Sequence, residues 1–185
     1  MNAYFTGQIE RIDMDDRRFP IGPFRMQDTY SADERAALIH SIETSPSHYR
    51  QVVEPLSPTD LTRTYREGSW TIRQLVHHVA DMQFLHYLRM KKALTEPDYT
   101  VVTLVNMDGW AQTPDATDAP VADSLLMLEG VHQRYAYLAK SLTTDQLAIT
   151  YYHPVRQFTI NQVQALAMSA WHVQHHLAHI RLALQ

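Results

Sequence analysis

The chain has 185 residues, is 45% hydrophobic and carries a formal net charge of −4. That length and apolar content fit one domain, residues 1–185, around a single core. The absence of cysteine excludes disulfides, thiolate metal sites and a cysteine nucleophile, so any metal must be held by His, Asp or Glu.

Residues 1–30 are expected to form an irregular arm. Its first half is polar and charged and lacks the apolar core of a secretory signal. Phe19-Pro20-Ile21-Gly22-Pro23-Phe24 has too many helix breakers for a helix, and its apolar side chains should strap across the domain. Ser31 with Glu34 has capping-box spacing and opens a first helix. Pro46 should kink or split that helix, with Ser45 as a new cap. Ser57 to Asp60 suits a turn or a short helix start, and Thr64 to Trp70 an extended lead-in. Thr71 with Gln74 caps a second helix expected over Thr71 to Leu94. Residues 95–119 form a long connection, a feature that usually has a job; its Trp110 is a candidate pocket cover. A third helix is expected from Val121 to about Leu142, then a short helical turn at Thr143. A small hairpin follows, with His153-Pro154 at its turn. Thr159 with Gln162 suggests a last helix from near Thr159 to the C-terminus. Four long helices with a crossover make an all-α, four-helix bundle.

The eleven histidines are unevenly spread, with four at 172, 175, 176 and 179. On a helix, residues four apart lie one above the other, so His172/His176 and His175/His179 are two such pairs. Two imidazoles at that spacing can grip one ion from one side. The apolar stripe of the last helix runs through Val163, Leu166, Ala170, Val173, Leu177 and Ile180. His172 and His176 border it, whereas His175 and His179 fall nearer the opposite face. In the second helix His78 falls between Leu75, Met82 and Leu85, while His77 falls beside Arg73, Gln74 and Asp81. Periodicity therefore selects His78, His172 and His176 as a metal-ligating triad. Three ligands with remaining open positions is the pattern of a catalytic centre. A lone inward histidine is more often a hydrogen-bonded core residue. His40, His48, His77, His86 and His132 are accordingly expected at the surface or behind the site, and Met168 and Trp171 in packing.

Gly68-Ser69-Trp70-Thr71-Ile72-Arg73-Gln74-Leu75-Val76-His77-His78-Val79-Ala80-Asp81 resembles the second helix of the DinB-like superfamily. Trp171-His172-Val173-Gln174-His175-His176-Leu177-Ala178-His179-Ile180 resembles its last helix. The likeness is strongest to the YfiT branch, of bacillithiol S-transferase type and often labelled metal-dependent hydrolase. Phe19-Pro20-Ile21-Gly22 is similar to that branch's entry segment, with Phe19 where tyrosine is common, and Tyr151-Tyr152-His153-Pro154 to its hairpin. The resemblance implies an up-down-down-up bundle, a homodimer, and one zinc or nickel ion on His78, His172 and His176.

Two enzyme classes share such an ion. A transferase would use it to favour the thiolate of a low-molecular-weight thiol, which then attacks a small electrophile. A hydrolase would use it to lower the pKa of a bound water. A bundle that binds metal without catalysis is the third possibility. His175, His179, Asp81, Tyr152 and Asp108 are candidate bases or supporting groups. A nucleic-acid partner is not expected, because basic residues are not clustered. No apolar run is long enough to span a membrane, and the expected setting is the cytoplasm.

Overall fold

The structure is a computed structural model describing residues 17–185; the first part of the predicted arm lies outside the described residues. Four long helices dominate: α1 (Ala32–Val53), α2 (Ile72–Thr95), α5 (Val121–Ser141) and α7 (Gln162–Ala183). Between α2 and α5 lie two single-turn helices, α3 (Met107–Trp110) and α4 (Pro114–Thr117). A short α6 (Thr144–Ala148) and the antiparallel hairpin β1 (Thr150–His153) and β2 (Phe158–Asn161) precede α7.

The caps follow the sequence at most positions. Ser31/Glu34, Thr71/Gln74 and Thr143/Gln146 each form a reciprocal box that satisfies two helix-end donors. The last helix starts later than its threonine suggested. Thr159 is spent in β2, paired with Tyr152, and the box is built by Asn161 and Gln164. Thr64 to Trp70 is a bent loop held by a single bridge from Thr64 to Thr71, and residues 60–62 form a 3₁₀ turn.

Side chains at the two ends of the bundle fix its direction. Val53, Ile72, Leu75, Leu125, Ile180 and Ala183 share one apolar cluster. It joins the end of α1 and of α7 to the start of α2 and of α5. Ile39, Ile42, Tyr87, Met90, Tyr135, Ala139, Leu166 and Ala170 share the other, which joins the opposite ends. The bundle therefore runs up-down-down-up, with α2 and α5 parallel and packed on each other, α2 also on α7, and α5 also on α1. Parallel neighbours need a long crossover, and residues 96–120 supply it. Arg73 ties this crossover down by donating to the carbonyls of Asp118 and Ala119. Among the described residues no helix is long and apolar enough to cross a membrane.

Pro46 does not split α1. A proline inside a helix has no N–H for the carbonyl four residues back, here Ile42. That carbonyl is satisfied from outside the ladder: the Ser45 hydroxyl donates to it at 2.9 Å, and His132 Nδ1 on α5 lies 2.7 Å away. His132 is thus fully buried rather than superficial. It sits four residues after Leu128 and three before Tyr135, on the packed face of α5. His132→Ala should cost about 3 kcal/mol, through a cavity plus the loss of one of the two donors to the Ile42 carbonyl. Adding Pro46→Ala restores an N–H for Ile42 and should return about 1 kcal/mol of that loss. Urea denaturation of the two variants measures both.

Candidate metal centre

Capping by Thr71 starts α2 in the register that turns His78 toward α7, where Asn161 starts the partner helix. His78, His172 and His176 meet between these helices, with one nitrogen from each ring within 4.8 Å of the others. His78 Nε2 and His172 Nε2 are 3.2 Å apart. The His78 ring lies edge-on to His176, with centroids 4.8 Å apart. Burial holds the His78 ring neutral, with its pKa down to about 4. The pKa values of His172 and His176 also fall well below the ordinary value, through burial first and then the neighbouring imidazoles. Neutral rings with convergent lone pairs are the donor set that a borderline divalent ion takes.

Each α7 member of the triad is backed by a second group, and these groups set which nitrogen faces inward. His179 Nε2 donates to the carbonyl of Arg18 at 3.2 Å. A neutral His179 then has its lone pair at Nδ1, 3.4 Å from His176 Nδ1. His176 carries its proton there and is left with a free Nε2. Gln83 backs His172. As placed, its Nε2 is 3.2 Å from His172 Nδ1, and its Oε1 accepts from the Ser169 hydroxyl at 2.6 Å and lies 3.1 Å from His132 Nε2. The two ends of a carboxamide are nearly isosteric, so neighbours decide its orientation. His132 gives its Nδ1 proton to Ile42 and, being neutral, offers a lone pair at Nε2. A half-turn of the amide gives up the N–H contact to the Ser169 carbonyl at 3.3 Å, but satisfies that lone pair with N–H and lets the carbonyl accept from His172 Nδ1–H. The His172 Nε2 lone pair is then free on the His78 side. Such partners orient ligands and raise their basicity. Gln83→Leu is expected to weaken metal binding by about 10- to 100-fold without removing a ligand, measured by competition with a chromophoric chelator.

Of the remaining histidines, four are enclosed or partly so, including His175 and His179 on the outer side of α7. His77 is buried because the crossover covers the outer face of α2: its Nδ1 lies 2.8 Å from the Ser124 hydroxyl and its Nε2 3.2 Å from the Ala119 carbonyl. His175 and His179 are buried although they point away from the helical core. The N-terminal strap and the loop before α2 cover them. His179 stacks on Tyr65 at 3.9 Å, and His175 stacks on Trp171 at 4.3 Å and packs near Phe19. Gly22, at φ 78°, turns the strap so that its carbonyl accepts from Trp171 Nε1. His86 is half-buried, edge-on to His172 at 5.5 Å. His40 and His48 are exposed, as expected.

Beside the triad, with His172 on its wall, is a cavity of about 290 Å³. Met82, Met168 and Trp171 from the bundle line one side; Leu104, Val105 and Met107 from the crossover, and Val155 from the hairpin turn, line the other. Trp110 is not among its lining residues; Met107, three residues earlier, takes that place. His153 also faces the cavity. Neither Asp81, Asp108 nor Tyr152 lines it. Gln83 and Arg89 were missed in the sequence, whereas His132 takes the second of the two places expected for it, behind the site. Gln83 falls four residues after Val79 and four before Tyr87, so its inward position was legible, but its role needed α5 and α7 in place.

The sequence profile of the DinB superfamily matches residues 41–180. The chain belongs to the DinB superfamily. A Halalkalibacterium halodurans relative named "Putative metal-dependent hydrolase BH0277" is 42% identical over 91% of this chain and 97% of its own length. The solved structure of YfiT from Bacillus subtilis, described as "a probable metal-dependent hydrolase with an unusual four-helix bundle topology", is 33% identical. It superposes with a TM-score of 0.86, covering 89% of this chain and 94% of that one. A mycothiol-dependent maleylpyruvate isomerase shares the fold at 17% identity and a TM-score of 0.52 over 79% of this chain and 60% of its own. Membership of this metal-dependent family agrees with histidine groups able to hold an ion. A second such group, His175, His176 and His179, overlaps the first through His176. Its members come from one helix, and neighbours in sequence diverge by about 100° around the axis. His179 already uses both ring nitrogens.

Proposed function

We propose that this DinB superfamily member is a metal-dependent S-transferase. It joins a low-molecular-weight thiol to a small electrophile at a divalent ion, zinc or nickel, held by His78, His172 and His176. The observation that carries this over hydrolysis is the wall of the adjoining cavity. It is largely apolar, as suits an organic electrophile, and it has no carboxylate; His86 and His153 are its imidazoles beside His172. When bound, such an ion favours the thiolate form of a coordinated thiol at neutral pH, and so supplies the nucleophile without a dedicated base.

The protein's own groups do the rest. His179 and Gln83 hold the ligand rings in the required tautomer. Met82, Met168 and Trp171 keep bulk water from the sulfur and receive the apolar part of the electrophile. The thiol loses its proton to solvent, sulfur forms the new bond to carbon, and the leaving group departs with the old bonding pair. The names of the relatives favour a second reading, hydrolysis at the same centre. A homodimer is part of the proposal by resemblance to the YfiT branch.

The test is conjugation of 2-mercaptoethanol to monochlorobimane by zinc- or nickel-loaded protein. Thiol-dependent fluorescence gain lost in His78→Ala supports transfer. Ester or amide cleavage without thiol, with no conjugation, would establish hydrolysis instead.

A further inference from the structure

The cavity beside the triad holds two arginines and no acidic residue. Arg89 on α2 is only 8% exposed. Its Nε and one terminal nitrogen both donate to a single acceptor, the Thr103 carbonyl, at 3.1 and 2.6 Å. Among the described residues no carboxylate lies within ion-pair distance of it. The charged or titratable groups that act on it include the hydroxyls of Tyr99, Tyr135 and Tyr151, the imidazoles of His86 and His153, and a second cation, Arg156. Arg156 comes from the hairpin turn and lines the same cavity. His86 Nδ1 is buried there without a hydrogen-bond partner. A guanidinium removed from water is expensive unless an anion or several acceptors compensate it. One carbonyl does not, and Arg156 worsens the balance. A cavity-lining guanidinium whose other terminal nitrogen has no acceptor among the described residues is a group that can recognise a planar anion.

We propose that this cavity is an anion subsite, in which Arg89 and Arg156 bind the carboxylate of an organic substrate whose reacting atom lies toward His172. The apolar lining from Met107, Val155 and Trp171 suits the carbon skeleton of an organic acid better than a fully hydrated inorganic anion. The inference rests on the proposed metal centre for what the carboxylate accompanies, but not for the binding itself. It adds a specificity: the preferred thiol or electrophile is acidic.

Two measurements on the full chain separate the two levels. The first is calorimetric titration with succinate, before and after chelator treatment, which requires no turnover. Succinate should bind in both conditions, and about tenfold or more weaker to Arg89→Gln and to Arg156→Gln, as expected for loss of a charge-assisted contact. Arg156 is exposed, so its variant keeps the test valid if Arg89→Gln fails to fold. The second is the ratio of kcat/KM for mercaptosuccinate over 2-mercaptoethanol, which should exceed one in the wild type and fall by a similar factor in both variants. Succinate binding without any thiol consumption keeps the subsite and removes the transferase. Thiol conjugation with no succinate binding and no preference for the acidic thiol overturns the subsite. Equal affinity for inorganic phosphate would also overturn it, as would succinate binding lost only with the chelator.

Discussion

Purified without chelators, the wild-type protein should contain about one divalent ion per chain, and His78→Ala and His172→Ala should contain less than about a tenth of that. Removing a group behind a ligand weakens binding by about 10- to 100-fold. Removing one of only three ligands leaves two imidazoles on the ion, so the loss should be at least as large. Elemental analysis of the folded variants measures it directly. The overlap of two histidine groups at His176 makes the choice of variants decisive. His176→Ala should empty the site whichever group is used, and so does not discriminate. His78→Ala and His175→Ala do. If the ion spans α2 and α7, the first variant loses it and the second keeps it. The reverse outcome would move the centre onto α7 alone, behind the strap, and detach it from the cavity. His179→Ala should fall between, because it removes the acceptor that fixes the His176 tautomer but no ligand. Conjugating activity should follow metal content across the series. Activity that persists in metal-free His78→Ala would end the metal-based mechanism while leaving the bundle intact.

The fold was legible because most of its signals are local. Capping boxes at Ser31, Thr71 and Thr143 mark helix starts, and the His172/His176 spacing is a property of one helix. What stayed hidden depends on contacts made after the helices assemble. The proline at position 46 looks like a helix break from its own chemistry. It is tolerated because a histidine 86 positions later donates to the carbonyl it strands. His175 and His179 fall on the outer side of α7 by periodicity, and that holds for the four helices alone. The strap residues Arg18 and Phe19 and the loop residue Tyr65 turn that side into a second interior. Thr159 and Asn161 compete for the same helix start, and pairing with Tyr152 takes Thr159 into the hairpin. The candidate triad was legible as residues. Its backing by Gln83 and its union with a doubly cationic cavity were not, because each joins side chains from different elements.

Chelator-treated protein should lose stability steeply as pH falls from about 6.5 toward 5, before most carboxylates titrate. Burial holds His78 and His132 at about 4 and His86 at about 3. In the unfolded chain each returns to about 6.5. Below that value the unfolded chain binds protons that the native rings refuse, so acid favours unfolding until the folded pKa values are reached. The stability contributed by keeping these rings neutral is present above 6.5 and is lost as pH falls toward 4. Each ring removes about 1.4 kcal/mol per pH unit in that window. Three together remove about 4 kcal/mol per unit, from a total that is typically about 5–15 kcal/mol. Asp81 acts in the opposite direction. Burial and Asp115 raise its carboxyl to about 6, so it takes a proton in the native state first and offsets part of the loss. Urea denaturation at pH 7.5, 6.5 and 5.5 should therefore show a falling midpoint. Saturating zinc should delay the fall, because an ion on His78, His172 and His176 stabilises the native chain in proportion to its occupancy. The His132 and His86 contributions should persist in zinc, since neither ring belongs to the triad. A midpoint unchanged down to pH 5 would mean that protons reach these rings in the folded state. The interior would then be too wet to hold three neutral imidazoles in fixed tautomers, and the geometry that readies His172 and His176 for an ion would be lost with it.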